Sequence, residues 1–368
     1  MRGSIRRRGD SWQVVVSAGF DPVTGKRVQV WSTARSQEDA ERELTRLLRL
    51  QDTGSLADPG KLTLARYALD QWLPHMGSRV RARTLHRYRQ LLEIHVLSAI
   101  GNVKLSKLRP AHVQSMLDSL PVGARTKVHV YRVLSESLRH AVKLHLLSAN
   151  PAEGASPPRP ERPSLTVPLA ADVHRLLEAS EGWLRTALIL SASTGMRRGE
   201  VLALQWRSVD LERRTARVEQ AMECIGREIR FTTPKTDRGR RSVSLPPGCV
   251  AVLREVRKDQ LERRLLLGSE WQGTDLVVER GDGGAIHPDL YSQRFAALAT
   301  RLGLAGVRLH DLRHFYASEL LRANVHPKVV SEGLGHASTA FTMDVYWHLL
   351  PSMQAAAADA IEAALYGQ

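Results

Sequence analysis

Five prolines stand within residues 148–164: Pro151, Pro157, Pro158, Pro160 and Pro163. A prolyl ring fixes φ and removes a backbone donor, so neither a helix nor a central strand can run through such a stretch. The segment therefore reads as an extended, semi-rigid connector. The chain on either side of it must bury its apolar side chains separately. With 368 residues in all, two or three domains are expected.

The N-terminal side changes character once more. Residues 4–8, 11–18 and 26–33 alternate as strands, with a turn at Asp21-Pro22-Val23-Thr24-Gly25. Residues 33–52 carry Ala40, Leu44, Leu47 and Leu48 at helical spacing, with Ser36 placed to cap the helix ahead of Glu38 and Asp39. A small domain of three strands and one helix is expected over residues 1–58, followed by a polar, turn-rich linker. From residue 63 the period is helical. Thr63 caps a helix carrying Tyr67, Leu69 and Trp72, and Thr84 a second with Tyr88, Leu91, Leu92 and Val96. Pro110 opens a third helix through Leu120, and residues 124–146 make a long fourth. Residues 61–150 thus read as an all-helical domain and 151–164 as the connector. Residues 165–368 read as a mainly helical domain with a hairpin region between Arg214 and Leu245. The fold class expected is α+β multidomain.

Charge narrows the partners. Lys and Arg number 53 against 38 Asp and Glu, a net +15 with pI near 10.4. The excess is concentrated: residues 61–160 hold 16 basic and 5 acidic side chains, while residues 1–60 and 161–368 are each at only +2. A helical block so charged repels itself unless a polyanion lies against it, which points to nucleic acid. A solvated surface tuned for solubility is the competing reading. No 18-residue apolar run occurs, so no membrane-spanning helix is expected. No apolar stretch follows the charges of residues 1–8, so no secretory leader is expected either. Two cysteines, Cys224 and Cys249, are too few for a disulfide framework or a zinc site, and fit a reduced, cytoplasmic protein.

The last 200 residues carry several short patterns. Thr194-Gly195-Met196-Arg197-Arg198-Gly199-Glu200 follows an apolar helix, and Thr233-Pro234-Lys235-Thr236 sits in the hairpin region. His310-Asp311-Leu312-Arg313-His314 opens a helix, Leu334-Gly335-His336 closes another, and Tyr346 follows ten residues later. Singly these are weak: about two His-x-x-Arg matches are expected by chance in such a composition. Three occur, at His86, His129 and His310.

The ordered set Arg197, Lys235, His310, Arg313, His336 and Tyr346 resembles the tyrosine recombinase family, the phage-integrase and Xer-type enzymes. The resemblance covers residues 165–346 at motif level, and more loosely the helical block and the N-terminal sheet. It implies a site-specific DNA recombinase that cuts and rejoins DNA through a 3′-phosphotyrosyl link, without metal, cofactor or ATP. Integration and excision of a phage or other mobile element would be its task. Tyr346 would be the nucleophile. Arg197 and Arg313 would neutralise the pentavalent phosphorane, since guanidinium forks match non-bridging phosphate oxygens. Lys235 would protonate the leaving 5′-oxygen. His310 and His336 would donate to phosphoryl oxygens, with His310 also a candidate acceptor of the tyrosine proton. Glu200 and His314 would orient the site from behind, and Arg198 would form an ordinary surface ion pair. Tyr316 is the local rival of Tyr346 and reads as a packing residue.

The same resemblance implies double-stranded DNA held at a core site, arm sites read by the N-terminal sheet, and a homotetramer on DNA. A helix over residues 352–365, striped with Ala358, Ile361 and Leu365, would dock on a neighbouring protomer. A host bending protein and an excision factor would be further partners, and the nucleoid the place of work. Candidate DNA contacts are Arg6, Arg7 and Arg8 on the sheet, then Arg81, Arg83, Lys127 and Arg132 on the helical block. Arg238, Arg240 and Arg241 would add contacts beside Lys235. Arg2 to Arg8 as a disordered basic tail is the alternative. A type IB topoisomerase or telomere resolvase would share the chemistry, and a DNA-binding regulator that had lost catalysis would share the fold.

Overall fold

The computed structural model describes residues 3–20, 27–52, 62–161, 167–233, 239–335 and 352–367. The chain divides into two compact units, Met1–Arg162 and Pro163–Gln368.

In the first unit, strands Gly3–Arg8, Ser11–Phe20 and Arg27–Ala34 form an antiparallel sheet in sequence order. Alternation on the central strand turns Val14 and Val16 inward, where with Val30 they meet Ala40 and Leu47 of the helix Gln37–Asp52. Ser36 caps that helix as expected, its Oγ accepting the Asp39 N–H at 3.1 Å. Arg6, Arg7 and Arg8 pair with Gln13, Trp12 and Ser11, and all three are exposed. They belong to an ordered strand, which overturns the basic-tail alternative.

The helical block holds helices over 64–77 and 82–100, then Pro110–Ser119 and Ala124–Lys143. Thr63 caps the first, its Oγ1 accepting the Arg66 N–H at 3.3 Å. The second starts at Ala82 rather than after Thr84, because the ladder already begins with Leu85 N–H donating to the Arg81 carbonyl. The first two helices each contain a π turn, at Ala68–Trp72 and Leu92–Leu97. The added residue shifts the helical phase and lets the neighbours Trp72 and Leu73 both be buried. The fourth helix closes this core with Val130, Leu134 and Leu138.

The connector starts later than its prolines indicate. Pro151–Gly154 forms a 3₁₀ turn capped by Asn150, whose amide also donates to the Ser135 carbonyl and Oγ. Ala152 and Ala155 are buried in the helical core. Proline at the first position of a short helical turn loses no hydrogen bond, so Pro151 fits there.

The second unit surrounds the helix Gly182–Thr194, more than half of whose residues are buried. Around it lie the helices Ala170–Glu178, Arg198–Ala203, Pro247–Leu267, Pro288–Arg301, Asp311–Arg322 and Pro327–Leu334. The expected hairpin region resolves into two sheets. Val209–Asp210, Thr215–Val218 and Arg241–Ser244 form one, and Ala221–Ile225 pairs with Glu228–Thr232 in a separate hairpin. The helix Ser352–Tyr366 closes the described chain, with Ile361 and Leu365 exposed. Mostly helical units with small sheets match the α+β class expected. Among the described residues, no helix is long and apolar enough to cross a membrane.

Candidate active site

The site grows from a helix end. The apolar helix Gly182–Thr194 stops at Gly195, which adopts φ 63°. That left-handed conformation favours glycine, and space demands it too: a Cβ would lie 2.5 Å from Tyr316 Cδ1. The reversal delivers Arg197 to the start of the helix Arg198–Ala203, where Glu200 accepts the Arg197 N–H at 2.9 Å. Gly199 lets this helix rest on the hairpin, since a Cβ there would meet the Met222 carbonyl oxygen at 2.4 Å.

Glu200 is the hub. Its Oε1 accepts from Arg197 Nη1 at 2.8 Å, and both carboxylate oxygens accept from Arg241, at 2.8 and 3.2 Å. Burial alone would raise its pKa. The hydrogen bonds and charge of Arg241, joined by the Arg197 N–H and guanidinium, outweigh burial and hold the carboxyl below its usual range.

Three guanidinium groups then converge on three consecutive carbonyls. Arg241 Nε donates to Gly333 at 2.6 Å, Arg313 Nη2 to Leu334 at 2.6 Å, and Arg197 Nη2 to Gly335 at 3.2 Å. These carbonyls end the helix Pro327–Leu334. Terminal carbonyls have no partner within their own helix and sit at its negative pole, so cations belong there. Arg313 also donates to the Gly195 carbonyl at 2.6 Å, tying both helix ends together. The three arginines differ in access: the Arg197 side chain is 42% exposed, that of Arg241 6%, and Arg313 4%.

The helix Asp311–Arg322 supplies the rest. Asp311 is fully buried and fixes the helix start by accepting the Arg308 N–H and guanidinium, each at 2.8 Å. His310 and His314 meet edge to face with ring centroids 5.0 Å apart. Crowding around the His310 ring, then the Arg313 charge, lowers its pKa, with Asp311 opposing and Arg197 adding. His310 is nonetheless exposed at its surface, which leaves its ring open to solvent. His314 is pushed down to about 4, by burial first and then by His310. Its neutral form is the folded one, whereas the unfolded chain takes up a proton near 6.5. That contribution to stability is complete above about pH 6.5 and is lost as pH falls toward 4. His314→Gln is therefore expected to flatten the acid-side fall of the thermal unfolding midpoint. An unchanged slope would remove His314 from that linkage.

Of the residues expected from sequence, Arg197, Glu200, His310, Arg313 and His314 gather in this site. Lys235, Arg238, His336 and Tyr346 lie outside the described residues. Tyr316 packs against Gly195, and burial raises its phenol pKa despite the nearby Arg241 and Arg313 charges, which suits a packing role over a nucleophile. Arg198 forms the expected ion pair, with Asp289 at 3.2 Å, and also donates to Ser292 Oγ at 2.7 Å.

One expected DNA contact is corrected. Arg241 is not an exposed contact: its side chain is 6% exposed and is held by both Glu200 oxygens and the Gly333 carbonyl. The strand period held the signal: Arg241 lies two residues before the buried Val243, on the same inward face, while Arg240 is exposed. Elsewhere Arg81, Arg83 and Arg132 are exposed, whereas Lys127 is half-buried with its Nζ donating to the Asp118 carbonyl at 3.1 Å. Sequence reasoning also missed that Cys224, His287 and Asp289 bring potential metal-ligating atoms within 4.8 Å of one another. The Arg198 guanidinium on Asp289 opposes a further cation there.

The Phage integrase family profile matches residues 169–353, half of the chain. The chain belongs to this family. The profile of the phage integrase N-terminal SAM-like domain matches residues 66–120. This family member is similar to an integrase of Streptomyces ambofaciens, 28% identical over 347 residues that cover 91% of this chain and 88% of that one. It is likewise similar to the ICEBs1 integrase of Bacillus subtilis, 24% identical over 95% of this chain and 96% of the relative. Its fold resembles the Tn1549 transposon integrase solved with circular intermediate DNA, with TM-score 0.66, 16% identity and coverage of 77% and 94%. It also resembles a lambda integrase tetramer bound to a Holliday junction, with TM-score 0.59, 17% identity and coverage of 94% of each chain. The protein is a site-specific recombinase of the tyrosine type that integrates phage or other mobile DNA.

Proposed function

We propose that Arg197 and Arg313 grip the scissile phosphate while Tyr346 attacks it. The observation that carries this reading is the convergence of both guanidinium groups on the turn that leads into His336. Attack forms the tyrosyl O–P bond and breaks the bond to the 5′-oxygen. The phenol proton passes to His310, and Lys235 protonates the departing 5′-oxygen. A 3′-phosphotyrosyl link results, and it conserves the phosphodiester energy for a second 5′-hydroxyl to use. The phosphorane charge develops beside two guanidinium groups gathered at one helix end, and their positive charge lowers the barrier. His336 donates to a phosphoryl oxygen, and Glu200 and His314 hold the donors in place. A nicked suicide substrate tests this directly: the trapped covalent complex should map to Tyr346, and a complex on Tyr316 would sink the reading.

Residues 61–150 serve as the core-site clamp, with phosphate contacts from Arg81, Arg83 and Arg132. Arg240 contacts phosphate beside Lys235, and Arg238 is its expected neighbour. The N-terminal domain, residues 1–58, reads arm sites, because its strand Gly3–Arg8 presents Arg6, Arg7 and Arg8 to solvent. The recombinase works as a homotetramer on DNA, with the helix Ser352–Tyr366, whose Ile361 and Leu365 are exposed, docking on a neighbouring protomer. Excision uses the same chemistry, with a host bending protein and an excision factor setting direction. The host nucleoid is the place of work.

Deleting residues 1–58 is expected to leave core-site binding and cleavage intact and to abolish integration that requires arm sites. The +11 block and all six catalytic candidates lie beyond the cut. Core binding should keep a steep salt dependence, because most phosphate contacts remain. Loss of core cleavage in a folded truncation would move the sheet into the clamp, and undiminished integration would refute arm reading.

A further inference from the structure

Arg241 stands outside the set of side chains that touch DNA, yet it joins three parts of the site. It donates to both oxygens of Glu200, to the Gly333 carbonyl at 2.6 Å and to the Gly239 carbonyl at 3.4 Å. We propose that Arg241 is a positioning residue of the recombination reaction. It pins the Gly333 turn to Glu200, so that the chain continuing to His336 and Tyr346 departs from a fixed point beside Arg197. This assignment rests on the catalytic reading above.

A third anchor is needed because the other two are shared with substrate. Arg197 and Arg313 hold the Gly335 and Leu334 carbonyls with groups that a phosphate will also claim. A charge-assisted bond to phosphate is stronger than one to a neutral carbonyl, so both anchors loosen as DNA binds. Arg241 instead has both oxygens of the Glu200 carboxylate as partners, and a carboxylate competes with phosphate for a guanidinium as a neutral carbonyl does not. Its hold on Gly333 therefore persists through the reaction. Lysine could keep the charge beside Glu200 but not the planar fork that reaches Gly333 at the same time.

The test is Arg241→Lys, which leaves the Glu200 carboxylate a buried cation and so protects the fold. Single-turnover cleavage is measured with saturating protein on a normal suicide substrate and on one with a 5′-bridging sulfur, beside a gel-shift titration. Core-site affinity should be unchanged. Cleavage should fall on the order of a hundredfold, the cost of a small misplacement of reacting groups. The defect should be the same on both substrates, because alignment of the nucleophile is lost rather than protonation of the leaving group. A wild-type rate overturns the proposal, as does recovery on the sulfur substrate. Rates are repeated well below each variant's unfolding midpoint; a defect that vanishes there marks a purely structural role and also overturns it. Failure of the underlying catalytic reading looks different: the unmodified protein would form no covalent complex, or form it through another tyrosine.

Discussion

Tyr346→Phe is expected to reduce covalent complex formation to background while leaving core-site affinity within about twofold of the unmodified protein, since no charge or phosphate contact is removed. The substitution deletes one oxygen and keeps the ring, so packing is conserved. Nothing else in the proposed site can replace that oxygen. Tyr316, the nearest rival in sequence, packs on Gly195 and has a phenol pKa raised by burial. The assay is a nicked substrate whose short 5′ fragment diffuses away after cleavage, trapping protein on the 3′ end. A phenylalanine variant that still forms the covalent species would reject Tyr346 as nucleophile.

Lys235→Ala carries the second large effect. Loss of a general acid slows the step it serves by roughly 10²–10⁴-fold, and cleavage of a normal 5′-oxygen substrate should fall by that much. A 5′-bridging sulfur leaves without protonation, so the variant should cleave that substrate at close to the unmodified rate. Equal defects on the two substrates would take Lys235 out of the acid role. The paired measurement also separates Lys235 from Arg241, whose loss should be felt on both substrates alike.

Some of this site is plain in one dimension. Arg197, His310 and Arg313 each sit at a helix boundary that local signals mark: a glycine after an apolar run, or an aspartate opening a helix. The order of six chemically matched side chains raises motifs that are commonplace singly above chance. The strands of the N-terminal domain were legible because alternation and turn residues act over a few neighbours. Ser36 and Thr63 were legible as caps for the same reason.

Other features depended on distance in the fold. The burial of Ala152 and Ala155 needs the Ala124–Lys143 helix, whose Ser135 holds Asn150. The displaced start of the helix at Ala82 and the two π turns answer to packing within the helical core, which overrides local propensity. In the sequence Arg241 reads as a phosphate contact because it follows Arg240 in a basic run. Its true partners, Glu200 and Gly333, lie 41 and 92 residues away.

The division of labour follows from how far each force reaches. Periodicity, capping and charge density are properties of short segments, so they place the elements, the basic helical block and the candidate site residues. Which arginine stays open to solvent and which are locked inside is settled by long-range pairing. A buried guanidinium persists only where a carboxylate and carbonyls from separate helices meet it. The carbonyls of Gly333, Leu334 and Gly335 become that meeting point only when three distant segments pack around one helix end.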